Sequence, residues 1–365
     1  MKWRRLIGMS LTAMISIHGG LTLVYLTLRG VDGESSSVLR VFLFGCLTIL
    51  IIPFARCDFK TVIQLALYAK LILATCWYLY EDGWIVPEAF LSGLIASSSF
   101  YFAMGEIAAT KNMKLSSAFY LLIVNLQALF WYSILSWAAT AEVKECLILV
   151  YGIATVLPAL YLGFAAGGNH AQVATIKELI VSIRSLPIFK LVCYMVAVLS
   201  VNYFNLCIGA WGVGEGRPGW RGVIGLTTVY IVGVLSSMFI LSKASIKGCA
   251  LLFWGMLSLC ITCGVMGISA INESWLLASC VYGLGVSSTI IMSVIVENLS
   301  MRKDFLGRVL VISLLSFMQI FLLLIVDAIN GLGASLVNPW IAISVVCGVL
   351  LSLKAGVPWL KGVKV

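Results

Sequence analysis

The chain has 365 residues, of which 61% are hydrophobic and only 11% are charged, and its mean hydropathy is +1.07. Soluble domains are about 45–50% apolar, so this composition excludes a soluble protein and indicates an all-α protein that crosses a membrane many times. The net charge of +9 comes from basic residues spread over many short connections, so no nucleic-acid partner is expected.

A membrane-spanning helix needs about 20 predominantly apolar residues, and charges or Gly, Pro and Asn mark the connections. The sequence predicts twelve spans, numbered here in chain order: 6–28, 39–55, 61–80, 87–108, 116–140, 145–166, 188–212, 222–242, 249–271, 275–297, 309–330 and 339–359. The first follows "MKWRR" and has the charge order of a signal peptide. Its apolar run is too long for one and lacks a small-residue cleavage site, so we expect a retained span.

Lysine and arginine are distributed unequally between the two sides of this arrangement. With the N-terminus inside, seventeen of them fall on the cytoplasmic side, and five fall outside: Arg29, Arg40, Lys144, Arg217 and Arg221. The positive-inside rule therefore predicts that both termini are cytoplasmic. All external connections are short, which disfavours glycosyltransferases and polymerases with large external loops, and no enzymatic activity is expected.

The longest predicted connection, 167–187, is expected to be a cytoplasmic linker between two six-helix bundles, 1–166 and 188–365. The two halves match each other weakly, as expected after duplication. "FARCDFKTV" (54–62) aligns with "LSKASIKGC" (241–249) at an offset of 187, and "MGEIAATK" (104–111) with "IVENLSMR" (295–302) at 191. Gln127 aligns with Gln319 at 192, and Arg5 with Lys190 at 185.

These features together resemble the major facilitator superfamily over the whole chain. "YFAMGEIAATKNMKLSSAF" is similar to the Glu-x-x-Pro…Arg-Gly pattern at the end of that family's helix four, without the proline, and "VENLSMRKDFLGRV" is similar to its counterpart after helix ten. The resemblance implies alternating access between two bundles. It also implies a cytoplasmic gate in which two acids meet basic loops, here Glu106 and Glu297 with Arg56, Lys60, Lys243, Lys247 and Arg308.

Two family motifs are altered in this sequence. "PFARCDFKTV" retains only alternating basic residues of the helix 2–3 signature, and the Gly-Pro motif of proton-coupled drug antiporters is absent from the fifth span. Proton antiport is therefore less favoured than transport in general.

In transporters built from two halves, the solute site lies near the membrane midplane between the halves. Polar residues predicted at that depth are candidates, and a deep lysine such as Lys70 is functional by default unless it is paired or snorkels. His18 could titrate or bind a polar solute, and the amides could instead tie helices together. The candidate substrate-binding residues are His18, Lys70, Asn125, Gln127, Asn202, Tyr203, Asn205 and Gln319. The sequence places no carboxylate at mid-span.

Eleven cysteines lie mostly within apolar runs and are expected to be reduced packing residues. "CITC" at 260–263 has no second pair or nearby histidine, so no metal site is expected. "GLG" in the tenth span follows no strand, so no nucleotide loop and no cofactor are expected.

The sequence therefore favours a secondary transporter that moves a small polar or amphipathic solute, with efflux as one expected direction and a proton as a candidate coupling ion. A monomer in the inner membrane of a bacterium is expected. Three alternatives stay open: a flippase for lipid-linked oligosaccharides, an integral-membrane transferase and a non-transporting scaffold. The flippase should lack the paired basic loops, and a transferase would need a clustered His/Asp or Asp/Asp site.

Overall fold

A computed structural model describes residues 6–16, 35–48, 51, 59–80, 85–108, 110–140, 144–164, 177, 180–181, 188–212, 219–243, 247–268, 274–300, 322 and 338–356. Within these residues the regular structure is α-helical and includes no strand. The helices are α1 (Leu6–Ser16), α2 (Ser35–Leu47), α3 (Phe59–Tyr80), α4 (Ile85–Ala108), α5 (Met113–Thr140), α6 (Lys144–Phe164), α7 (Ile188–Gly212), α8 (Gly219–Ser242), α9 (Gly248–Ile268), α10 (Ser274–Ser300) and α11 (Pro339–Gly356).

Most predicted spans coincide with a helix, whereas the eleventh span lies outside the described residues except for position 322. By length and composition, four described stretches could cross a membrane: Met113–Trp131, Ile224–Ser242, Gly248–Ile268 and Trp275–Asn298. α4 begins at Ile85, two residues before its predicted start, because Pro87 is tolerated in a first turn whose N–H groups have no helical partner.

The helices fall into two compact units. Among the described residues, the first unit contains 6–108 and 123–164, and the second contains 110–122 and 188–300 together with 338–356. The beginning of α5 therefore clusters with the second unit and its remainder with the first. The predicted boundaries at 166 and 188 stay a prediction.

In the first unit, α4 packs against α2 and α3, and α3 also packs against α6. An apolar core joins α1, α3, α4 and α6, and its buried members are Ile15, Ile63, Ala66, Leu67, Leu94, Ile95, Ala159 and Leu162. The Gln64 side-chain amide donates to the Ala159 carbonyl at 3.2 Å and so ties α3 to α6.

In the second unit, α10 is the central helix and packs against α7, α8 and α9. Between Cys280 and Val296, 14 of its 17 residues are buried. α11 packs mainly against α9, where the Ser344 hydroxyl donates to the Cys260 carbonyl at 2.8 Å and the Cys260 thiol approaches the Ser344 carbonyl at 3.3 Å. The thiol thus acts as a packing group with a weak hydrogen bond.

One close helix crossing occurs in both units. In the first, a Cβ on Gly45 of α2 would collide with the Phe90 carbonyl of α4, and one on Gly93 would collide with the Phe42 carbonyl. The same reciprocal arrangement joins α8 and α10, where Gly233 faces the Tyr282 carbonyl and Gly285 faces the Tyr230 carbonyl.

The positions of the two crossings are related by constant offsets. Subtracting residue numbers gives 233 − 45 = 188 for the first glycine and 285 − 93 = 192 for the second. The facing residues give the same values, since 230 − 42 = 188 and 282 − 90 = 192. These offsets fall within the range found between the two halves of the sequence, so the packing supports the inferred internal repeat.

We expect Gly233→Ala to destabilise the protein by about 1–3 kcal/mol, because its Cβ would overlap backbone that cannot move aside easily. The matched control is Gly225→Ala on the same helix, where an added Cβ meets no atom within 4 Å. In thermal unfolding of the purified variants in detergent, the midpoint should fall for Gly233→Ala and not for Gly225→Ala. Equal midpoints for both variants would contradict the close crossing.

Candidate functional site

A buried ion pair joins α3 and α4 within the first unit. The Lys70 ammonium lies 3.2 Å from a Glu88 carboxylate oxygen and donates to the Ser92 hydroxyl at 2.7 Å. The Ser92 hydroxyl in turn donates to that Glu88 oxygen at 3.2 Å. Lys70 is fully buried, Ser92 is also fully buried, and Glu88 is 6% exposed. The three side chains therefore contact one another, and we call them the Lys70 triad.

The helices place these groups by simple spacing. Glu88 and Ser92 are four residues apart on α4 and so share one face. Lys70 lies near the middle of α3, about 16 Å from its first residue at a rise of 1.5 Å per residue. Its long side chain reaches toward the first turn of α4, where a carboxylate is also favoured by the helix dipole.

The energetics of the triad depend on its being complete. Removing two charges from water costs several kcal/mol per ion, and a buried pair offsets this only with good geometry and additional hydrogen bonds. The Ser92 hydroxyl supplies such bonds to both charged groups. Removal of Lys70 or Glu88 would take an ion-pair partner from a buried charge, so substitutions at these two positions should destabilise the protein.

The structure changes the interpretation of two residues in the triad. Lys70 is paired with Glu88, as one of the two interpretations of a deep lysine expected. Its role in substrate binding stays a prediction. Glu88 supplies a buried carboxylate that the sequence analysis missed, because the residue falls at the predicted start of the fourth span. The recognisable signal is the spacing Glu-x-x-x-Ser on α4 together with a lone lysine at mid-helix on α3.

Another predicted site residue, Gln127, connects α5 to α1. Its amide nitrogen donates to the Ser10 carbonyl at 2.8 Å and lies 2.9 Å from the Ser10 hydroxyl. Among the described residues its buried amide oxygen has no hydrogen-bond partner. The residue therefore ties two helices and retains one acceptor that a water or solute could use.

The other predicted substrate-binding residues are less well defined. In the second unit the Tyr203 ring packs edge-on against Trp340 of α11, with centroids 4.9 Å apart. Asn202 and Asn125 are both partly buried. His18 and Gln319 lie outside the described residues, and so does the side chain of Asn205. The structure thus places these candidates individually without assembling them into one site.

Of the two predicted gate acids, Glu297 has a defined partner. Its carboxylate lies 3.1 Å from the ammonium of Lys114, and the two side chains are 21% and 22% exposed. Lys114 is in the first turn of α5, which begins after Asn112, whose side-chain oxygen accepts the Leu115 N–H at 3.1 Å. Lys114 was not among the predicted partners of Glu297.

The positions of these two charges oppose the helix dipoles. Lys114 is near the N-terminus of α5 and Glu297 is near the C-terminus of α10, where a cation and an anion, respectively, are disfavoured. Their mutual attraction offsets this cost. Because both side chains are partly exposed, solvent screening limits the contribution of the pair to about 1 kcal/mol.

The remaining predicted gate residues differ in how far they are described. Lys243 follows the last residue of α8, and its ammonium lies 4.8 Å from the ring centroid of Phe239 on that helix. Lys247 is exposed and Lys60 is partly buried. Arg56, Arg308 and the side chain of Glu106 lie outside the described residues, so their pairing stays a prediction.

Within the described residues no group of three histidine, cysteine, aspartate or glutamate side chains could hold a metal ion. The Lys70 triad provides an ammonium, a hydroxyl and a carboxylate, which can exchange protons or hold a counter-charge.

Comparison with solved structures identifies the fold. Over 97% of this chain and 98% of the matched one, the helices match FucP, a transporter of the major facilitator superfamily in the outward conformation, with a TM-score of 0.64 and 14% identity. A single-residue variant of FucP, the E. coli fucose:proton symporter, matches over 96% of this chain and 97% of its own, with a TM-score of 0.64 and 12% identity.

A second transporter matches equally well. The human organic anion transporter MFSD10 (TETRAN) aligns over 96% of this chain and 100% of its own, with a TM-score of 0.65 and 10% identity. No protein-family model and no curated protein sequence matches the chain. The chain therefore has the fold of the major facilitator superfamily, and at these identities the similarity is one of fold.

We expect Lys70→Met and Glu88→Gln each to destabilise the protein by about 3–5 kcal/mol, because each removes an ion-pair partner from a buried charge. The double variant should lose less than the sum of the two single changes. Thr75→Val, an exposed position on α3, is the control. The unfolding midpoints of the native protein and these four variants measure the energetic coupling between Lys70 and Glu88. Losses that simply add in the double variant would contradict the ion pair.

Proposed function

We propose that this protein is a secondary transporter of the major facilitator type that carries a small polar or amphipathic solute by alternating access. The observation that carries the proposal is the match of nearly the whole chain to transporters of that fold. In this proposal the chain has twelve spans in two six-helix bundles, with both termini and the 167–187 linker in the cytoplasm. It acts as a monomer in a bacterial inner membrane, without enzymatic activity.

The packing supports rocking of two bundles. α2 with α4, and α8 with α10, are each held by backbone contacts at paired glycines. Such contacts make each helix pair stiff, since interpenetrating backbones cannot slide without a clash. Stiff pairs at equivalent positions in the two repeats would allow each bundle to move as a body around a central solute site.

Hydrogen-bonding side chains would contact the solute. We assign this role to His18, Lys70, Asn125, Gln127, Asn202, Tyr203, Asn205 and Gln319, and the unpaired amide oxygen of Gln127 gives the most direct support. The fold neighbours transport a sugar with a proton and an organic anion, by their names. A solute that offers hydrogen-bonding groups is consistent with the amides and hydroxyls here, and efflux is the direction we propose.

The Lys114–Glu297 ion pair is proposed as part of the cytoplasmic gate. The predicted gate residues Arg56, Lys60, Glu106, Lys243, Lys247 and Arg308 would act with it. The pair is partly exposed and both charges oppose the local helix dipoles, so its net contribution is small. A gate contact needs this property, because a pair that is too stable would hold the transporter in one state.

Transport itself can be tested with the purified chain in proteoliposomes. Solutes that raise the unfolding midpoint of the protein are selected first, since a ligand of the folded state stabilises it. We expect at least one of them to show counterflow, in which excess unlabelled solute inside drives uptake of labelled solute. Binding without counterflow in any vesicle preparation would contradict the transporter proposal.

For the gate, we expect Lys114→Glu and Glu297→Lys each to lower counterflow several-fold, because like charges would then face each other. The combined reversal should restore part of the rate. Lys111→Glu is the control, since Lys111 lies exposed on the same segment. Because the pair contributes at most about 1 kcal/mol, unfolding midpoints should change little. Equal counterflow in all four variants would refute the gate contact.

A further inference from the structure

Two lysines come together at one end of the second unit, on the side predicted to be cytoplasmic. Lys190 is in the first turn of α7, and Lys354 is in the last turn of α11. The Lys354 ammonium lies 5.4 Å from the ring centroid of Phe189, the residue that precedes Lys190. The two lysine charges are close enough to repel each other. Because α7 and α11 pack together, the fold keeps these like charges close, and we call them the lysine pair.

The described residues provide no carboxylate that forms an ion pair with either of these two lysines. Lys190 donates to the side-chain oxygen of Asn298 on α10 at 3.2 Å, and this acceptor is a neutral amide. Glu297, the residue before Asn298, pairs with Lys114 instead. The dipole of α7 also disfavours a cation in its first turn, where Lys190 lies. The lysine pair is therefore a local excess of positive charge that an anion would stabilise.

Partial burial makes a counter-charge more valuable at this place than at an open surface. Both side chains of the lysine pair are partly buried, so water solvates their ammonium groups incompletely. Interactions between charges are less screened where water is partly excluded. By contrast, Lys243 also lies over a phenylalanine ring, but it is exposed, and water can solvate its charge.

An exposed apolar stripe on α11 leads to the lysine pair. Its members are spaced four residues apart and so share one face of the helix; they are Ile341, Val345, Val349 and Leu353, and each is exposed. The stripe extends about 18 Å at a rise of 1.5 Å per residue, and one leaflet of membrane hydrocarbon is about 15 Å thick. Leu353 directly precedes Lys354. The surface therefore joins an apolar contact as long as an acyl chain to a cationic end.

We propose that the lysine pair and this stripe together bind one anionic phospholipid. In this arrangement the phosphate oxygens accept charge-assisted hydrogen bonds from the ammonium groups of Lys190 and Lys354, and an acyl chain lies along α11. Clusters of basic residues at the cytoplasmic ends of membrane helices suit anionic headgroups. The inference goes beyond the proposed function, because lipid binding at this surface does not require that the protein moves a solute.

The apolar stripe favours a lipid over a dissolved phosphate as the occupant. A free phosphate ion would satisfy the two ammonium groups and leave the stripe without a role in binding. A phospholipid satisfies both, since its acyl chain is already in the hydrocarbon layer when its headgroup reaches the lysines. Phosphatidylglycerol carries a net negative charge, whereas phosphatidylcholine carries the same phosphate with a compensating cation. These two lipids therefore separate recognition of charge from general contact with lipid.

Native mass spectrometry of the purified full chain counts bound lipids directly, and each lipid is titrated separately. A basic residue near a membrane surface gains enough from anionic lipid for about a fivefold change in affinity. We expect Lys190→Gln and Lys354→Gln each to weaken phosphatidylglycerol binding about fivefold, and the double variant about 25-fold. Phosphatidylcholine should bind more weakly to the native protein. Lys111→Gln removes one exposed charge on the same predicted side and should bind as the native protein does.

Unfolding midpoints separate lipid binding from folding. In detergent without lipid, the double variant should unfold near the native midpoint, because the substitutions remove a repulsion between like charges. Added phosphatidylglycerol should raise the midpoints of the native protein and of Lys111→Gln, since a ligand of the folded state stabilises it. The midpoint of the double variant should not rise. If the double variant unfolds early, Lys354→Gln carries the comparison, because Lys354 makes its printed contact with a ring rather than through a hydrogen bond.

Three results would overturn the lipid site. Equal affinity of the native protein for the two lipids would refute recognition of the charge. Undiminished phosphatidylglycerol binding in the double variant would place the lipid elsewhere. Displacement of the bound lipid by glycerol phosphate would show that a free anion occupies the lysine pair. A protein that binds phosphatidylglycerol as expected but shows no counterflow would overturn the transporter proposal alone.

Discussion

Hydrocarbon offers no hydrogen-bond partners, so a polar group inside a membrane protein is costly unless it finds a partner within the protein. The Lys70 triad follows from this constraint, since an isolated ammonium at mid-helix would be prohibitively costly. The same constraint acts on the amide nitrogen of Gln127, which donates to α1, and on Tyr230, whose hydroxyl lies 3.1 Å from that of Ser288 on α10. Polar side chains here therefore connect neighbouring helices.

Packing between helices has to supply the rest of the stability, because lipid is as apolar as a leucine side chain. Glycines allow two pairs of helix backbones to approach closely, at Gly45 and Gly93 and, with the same geometry, at Gly233 and Gly285. Aromatic rings fill the wider gaps in the second unit, where Phe204 stacks on Tyr230 with centroids 5.5 Å apart. The two halves therefore resemble each other more in their backbone contacts than in their amino-acid sequence.

The two repeats share a scaffold but differ in charge. One encloses an ammonium and a carboxylate between its third and fourth helices, whereas the offset of 192 from the glycine crossing places Cys280 and Leu284 of the other at the positions of Glu88 and Ser92. The Lys114–Glu297 pair differs from the buried triad because it is partly exposed, so water can compensate its charges when the contact opens.

The sequence by itself determined the class of protein, the positions of most helices and the repeat offsets. Apolar runs and loop charges are local properties, and they persist in any arrangement of the helices. Only the tertiary structure decided that Lys70 faces Glu88 and Ser92, and that Lys114 meets Glu297. Eighteen positions separate Lys70 from Glu88, and 183 separate Lys114 from Glu297. Which side chains meet across such distances depends on how each helix is rotated about its axis, and packing sets that rotation.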